Sequence, residues 1–116
     1  MYQVTFSDQS MRELNKLDTL SQMALIEEIT RLTPHALEEV EDELSKFTRK
    51  GKTYYRLRTG EYRIYFEVKD DILFSHVILD KNSMADFVFR TKLPFSEEQA
   101  IEQHQSFWQY LESLMK

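Results

Sequence analysis

The chain has no cysteine, which excludes disulfides, thiol nucleophiles and Cys-ligated zinc. Glycine and proline are scarce, two of each in 116 residues. Gly51 and Gly60 alone cannot build a phosphate-cradling glycine-rich loop, and long regular elements with few irregular loops are expected. No run of eighteen apolar residues occurs, and the opening MYQVTF lacks a basic segment followed by an apolar one. The expectation is therefore a cytosolic protein with no membrane association. His35, His76 and His104 are scattered, with no paired spacing and no carboxylate placed to complete a zinc site. No metal, no cofactor and no nucleophile–base–acid hydrolytic motif is expected. Positive charge is also in the minority: 15 Lys and Arg against 20 Asp and Glu give a net charge of −5. That is an unusual sum for a protein that grips nucleic acid through its phosphates.

What is present points to one folded domain spanning 1–116, with 41% hydrophobic and 30% charged residues. The charge is divided. Lys46, Arg49, Lys50, Lys52, Arg56, Arg58 and Arg63 stand against Glu61 alone, whereas acids dominate between Asp8 and Glu43. A basic sheet face on an acidic helical back can steer toward an anionic partner, with salt-sensitive affinity.

The basic cluster lies in the stretch from Lys46 to Asp80, which is also richest in strand formers. Alternation predicts three consecutive antiparallel strands at about 52–58, 62–69 and 72–79. Taking Thr59-Gly60 as a two-residue turn sets Leu57 opposite Tyr62 and Tyr55 opposite Ile64 on one apolar face. The other face then pairs Arg56 with Arg63 and Tyr54 with Tyr65, with Arg58 alongside. Like charges facing each other destabilise a sheet by about a few tenths of a kcal/mol or more. Two readings follow: a guanidinium fork for phosphate, or neutralisation by Glu67 or another acidic side chain.

The run from Tyr55 to Val68, YRLRTGEYRIYFEV, resembles the central hairpin of the RelE/ParE superfamily of bacterial toxins. That family carries a basic residue before Leu-Arg, a short turn, and then Tyr-Arg followed by two hydrophobic residues and Tyr. The resemblance spans about residues 1–90. It implies an α+β fold: an antiparallel sheet backed by an N-terminal helical hairpin, here with an added long C-terminal helix over 94–116. It also implies a toxin-type protein of a toxin–antitoxin system, acting on ribosome-bound mRNA, with a cognate antitoxin or other protein partner. If active, such a protein is a ribosome-dependent endoribonuclease that inhibits translation. The resemblance leaves two alternatives: a catalytically degenerate relative that binds a protein or the ribosome, and a ParE-like gyrase inhibitor.

Carried over by position, Arg56 and Arg63 are the implied catalytic residues, with Lys81 able to stand in as a further cation. The chain's own basic cluster adds Arg49, Lys50, Lys52 and Arg58, with Tyr54, as expected RNA or phosphate contacts. Arg63 would stabilise charge on a phosphorane as a preorganised donor. A guanidinium is a poor general base at neutral pH, so Arg56 would serve only in that same way. The family's basic residue two positions before the Leu-Arg motif is Tyr54 here. Its later Arg and Tyr have no evident counterpart between Leu79 and Val88.

The remaining elements follow from periodicity. Residues 2–6 alternate as a strand, and Ser7 caps a first helix with Met11, Leu14 and Leu17 on its buried side. Thr19-Leu20-Ser21-Gln22 reads as a capping box opening a second helix limited by Pro34. Residues 36–47 carry Leu37, Val40, Leu44 and Phe47 at helical spacing and predict a third helix with a solvated acidic face. His76 reads as a hydrogen-bonded core residue rather than a catalyst. Phe87–Phe89 belong to a short strand or a helix start. Ser96-Glu97-Glu98-Gln99 reads as a capping box for a helix of about nineteen residues. Its stripe of Ile101, His104, Trp108, Leu111 and Met115 either covers the second face of the sheet or binds another chain. Lying over Arg56 and Arg63, it would occlude them as an in-built inhibitor.

Overall fold

The computed structural model describes residues 2–39, 43–94 and 97–115. Five strands, β1 (Gln3–Phe6), β2 (Leu44–Arg49), β3 (Lys52–Thr59), β4 (Tyr62–Lys69) and β5 (Ile72–Asp80), form one sheet in the order β1-β5-β4-β3-β2. β2 to β5 run antiparallel, and β1 joins the edge parallel to β5. Helices α1 (Asp8–Asn15) and α2 (Thr19–Thr30) supply Leu14, Leu25 and Ile29 to one face, against Leu57, Ile64, Phe66, Leu73 and Ile78. Helices α4 (Lys81–Thr91), α5 (Glu98–Gln103) and α6 (Gln105–Leu114) cover part of the other. Met84, Phe87, Ile101, Phe107, Trp108 and Leu111 pack there on Phe47, Tyr65, Val77 and Leu79. The fold is thus α+β, a sheet between two helical layers.

The predicted strands 52–58, 62–69 and 72–79 are β3, β4 and β5, but the turn between β3 and β4 differs. Gly60-Glu61 forms it, with Thr59 paired to Tyr62, Arg58 to Arg63, Leu57 to Ile64 and Arg56 to Tyr65. Gly60 has φ +57, the sign a tight hairpin favours at its first central residue, where glycine bears no Cβ penalty. The two-residue slip keeps each side chain on its expected face, because a strand repeats every two residues. It changes which like charges meet: Arg58 faces Arg63, and Arg56 faces Tyr65.

The third helix is also corrected. Only Pro34–Glu38 is helical (α3), and Leu44 to Phe47 belong to β2; Val40 lies outside the described residues. Leu44 pairs with Leu57 and joins the first core, while Phe47 pairs with Tyr54 and joins the second. Positions three apart share a helix face, yet they point to opposite faces of a strand. A strand buried on both sides therefore mimics helical spacing. Lys50 and Gly51 (φ 53 and 76) make the β2–β3 turn, both positive as a type I′ turn requires.

Caps and breaks differ in detail. Ser7 caps α1 as expected, but α2 is capped by Asp18, whose carboxylate accepts from Ser21 N at 2.7 Å. Gln22 instead donates to Leu14 O at 2.7 Å and ties the two helices together. Asp80 caps α4 through Ser83 N, so Phe87–Phe89 are helical. The single C-terminal helix is broken at His104 (ψ 137). Glu102 O accepts from the Trp108 indole at 2.7 Å, and Ser106 N donates to His104 Nδ1. The helical bond from Ser106 N to Glu102 O is thereby replaced at both ends. Ser96, the expected cap, lies outside the described residues.

β5 carries one more irregularity. Tyr65 pairs with Val77 and Phe66 with Ser75, which leaves His76 as the extra residue of a bulge. The expected alternation is interrupted there: Leu73 and Ile78 join the first core, and Val77 and Leu79 the second.

Candidate functional site

The basic residues of β3 share the sheet face that α5 and α6 cover, since Lys52, Tyr54, Arg56 and Arg58 alternate with residues of the first core. They divide into two clusters, about 20 Å apart along the strand at roughly 3.3 Å per residue, with Arg56 between them.

Arg56 is fully buried. Its Nε donates to Glu102 Oε2 at 3.0 Å, and one terminal nitrogen donates to Glu102 Oε1 at 3.3 Å and Ser45 Oγ at 2.8 Å. Tyr65 Oη donates to Glu102 Oε2 at 2.6 Å. Burial, followed by the charge and hydrogen bond of Glu102, raises the Tyr65 phenol well above its ordinary value. A buried carboxylate and guanidinium are thus mutually neutralised, with Tyr65 and Ser45 completing their hydrogen bonds.

At the far end, Arg58 and Arg63 face each other and share one carboxylate. Arg63 donates side-on to Glu98, Nε to Oε2 at 3.0 Å and a terminal nitrogen to Oε1 at 2.7 Å. Arg58 reaches Glu98 Oε2 at 3.1 Å. Arg63 also donates to Gly60 O and Tyr62 O, which brace the turn. Arg58, Arg63 and Lys81 line a cavity of about 380 Å³ together with Glu97, Glu98 and Gln99. Burial pushes the Glu98 carboxyl up, but hydrogen bonding to Arg63 and the charges of Arg63, Arg58 and Arg56 outweigh it and hold the carboxyl below its ordinary value.

At the near end, the Arg49 guanidinium lies over the Trp108 ring at 5.3 Å and donates to Gln103 O. Lys50 pairs with Glu112 at 3.4 Å, and Lys52 is exposed at the start of β3. Tyr54 packs on Trp108 and His76 and hydrogen-bonds Glu67. His76 Nε2 lies 2.8 Å from Glu67 Oε1, so Glu67 serves the histidine and tyrosine, not the arginines. Burial, then the charges of Glu67 and Glu112, raises the Tyr54 phenol. Among the described residues no group of three or more His, Asp or Glu could hold a metal ion, and no helix is long and apolar enough to cross a membrane.

Of the sequence-predicted residues, Arg58, Arg63 and Lys81 come together, Arg56 is sealed beneath α5, and Arg49, Lys50, Lys52 and Tyr54 stand apart. The partners that sequence reasoning missed are Glu98 and Glu102. Their four-residue spacing marks one helical face, but nothing in the sequence says which basic residues that face meets 35 to 46 positions away.

No family model and no curated protein sequence matches the chain. Solved structures do. A chain of the toxin–antitoxin complex RelBE2 from Mycobacterium tuberculosis is 21% identical at TM-score 0.54, covering 68% of this chain and 96% of its own length. A chain of the archaeal RelE–RelB complex from Pyrococcus horikoshii is 22% identical at TM-score 0.54, covering 69% and 94%. The chain adopts the RelE-like fold of these toxin structures, with further residues that they do not match.

Proposed function

We propose that this chain is the toxin-type member of a toxin–antitoxin pair, acting in the cytosol on ribosome-bound mRNA through the cavity of Arg58, Arg63 and Lys81. The carrying observation is the convergence of these three cations on one site of a RelE-like sheet. Two guanidiniums that hold one carboxylate, with Lys81 lining the same cavity, can hold one phosphate. If the mRNA 2′-hydroxyl, its proton lost to water, attacks the neighbouring phosphorus in line, the bond to the 5′-oxygen of the next nucleotide breaks. That oxygen takes a proton from water and a 2′,3′-cyclic phosphate remains. Arg63 stabilises the charge that develops on the non-bridging oxygens. The partner is an antitoxin, in keeping with the toxin–antitoxin complex among the structural neighbours. Expression in a bacterial host tests the reading: the wild type arrests growth, and Arg63→Ala, folded by its thermal melt, does not. Arrest by the variant at wild-type strength overturns it.

A second reading is a catalytically silent relative that binds a protein partner. Arg56 favours it, being spent on Glu102 rather than on a ligand. So does the lack of a counterpart to the family's later Arg and Tyr, since each lost transition-state donor costs about 3 kcal/mol of barrier. Salt-resistant recovery of one protein with the purified chain supports this reading, and recovery of RNA alone counts against it.

A further inference from the structure

We propose that Glu98 is an internal stand-in for the RNA phosphate, so that the site of Arg58, Arg63 and Lys81 is gated by the first turn of α5. The proposal rests on the reading above and divides the arginines by role. Arg56 with Glu102 is the fixed anchor of α5, whereas Arg58 and Arg63 with Glu98 form the exchangeable site.

Three observations carry the division. The anchor is sealed: Glu102 is 1% exposed, holds Arg56 and Tyr65 through its carboxylate, and holds the Trp108 indole through its carbonyl. Glu98 is more accessible, with 22% of its side chain exposed, and it is the first residue of α5, whose N-cap Glu97 makes no side-chain cap bond. The donor set at Glu98 is also incompletely used, because Arg58 Nε is buried without a hydrogen-bond partner. A phosphodiester, with one charge shared by two non-bridging oxygens and two further bridging oxygens, offers more acceptors than a carboxylate does.

The energetics confine the movement to that first turn. Lifting α6 would expose the buried Phe107, Trp108 and Leu111 to water, a cost that adds up over each apolar side chain. Turning the Glu98 side chain outward breaks its ion pairs with Arg58 and Arg63, and an incoming phosphate replaces them. Deleting the whole C-terminal segment is therefore a poor test, since it uncovers Phe47, Tyr65, Val77 and Leu79. A single carboxylate-to-amide change is the informative one.

The test measures binding of a fluorescein-labelled hexauridylate by anisotropy. Glu98→Gln is expected to bind about tenfold more tightly than wild type, the effect of removing roughly 1.4 kcal/mol of competing ion pair. Adding Arg63→Ala abolishes the gain, and Glu28→Gln on the exposed side of α2, outside the cavity, changes affinity by less than about twofold. Unchanged affinity in a folded Glu98→Gln protein, or a gain that survives Arg63→Ala, overturns the gate. A measurement on the wild type needs no variant: NMR titration of the Glu98 carboxyl, whose low pKa rises toward the ordinary value once hexauridylate displaces it. No change on saturation overturns the gate as well. Tighter binding without ribosome-dependent mRNA cuts supports the gate and defeats the mRNA reading. Arg63-dependent cuts with no Glu98 effect defeat the gate alone.

Discussion

Glu102 gathers Arg56 and Tyr65 on its carboxylate and the Trp108 indole on its main-chain carbonyl. Removing one partner of a buried ion pair leaves the other uncompensated and costs about 3–5 kcal/mol. Glu102→Ala is expected to lose that much in equilibrium urea unfolding, and a loss below about 1 kcal/mol would show that the pair is not holding α5. Glu98 predicts a pH dependence instead. Its folded pKa lies below the ordinary value, so its contribution to stability is present above the unfolded-state pKa and is lost as pH falls through the folded one. Thermal melts of wild type and Glu98→Gln should therefore converge as pH drops below the carboxylate range. Residue chemistry is partly legible in the sequence. The alternation of β3 puts Arg56 and Arg58 on one face and leaves a phosphate fork and an acidic partner both open. Acids do meet them, but they are Glu102 and Glu98 and not the named Glu67. Which acid was not legible, because the pairing depends on where α5 lands and not on any local pattern.

At the level of elements, hairpins and caps govern how the site is framed. The β2–β3 turn needs two positive φ values, and Gly51 at φ 76 meets open space where a Cβ would stand. Gly51→Ala is thus expected to cost about 1–2 kcal/mol from backbone strain alone, read as a lowered urea midpoint; a neutral result would mean that the turn can change type. The β3–β4 hairpin was readable from alternation, because one of its faces is apolar and the other carries arginines and tyrosines, although both faces are covered. β2 was not, because Leu44 and Phe47 serve two different cores from one strand and imitate a helix. Register slipped by two for a related reason: the turn chemistry of Thr59-Gly60 and Gly60-Glu61 differs little in sequence, and both registers keep the same faces apolar. The break at His104 was hidden as well, since it follows from the Trp108 indole capturing a main-chain carbonyl.

For the whole molecule, a sheet covered on one side by α1 and α2 and on the other by α5 and α6 leaves its cations in two clusters, not one basic face. The order of elements and the β3–β4 hairpin were enough to suggest the RelE-like fold. The state of its arginines needed coordinates, because the acidic segment that masks them lies far along the chain. With net charge −5, non-specific RNA affinity should be low and steeply salt-dependent, so any action must come from a defined site. The most direct measurement is in vitro translation with the purified protein, reading mRNA ends by primer extension for wild type and Arg63→Ala. The account predicts ribosome-dependent cuts with wild type that vanish in the variant. Intact mRNA at saturating wild-type protein would contradict it.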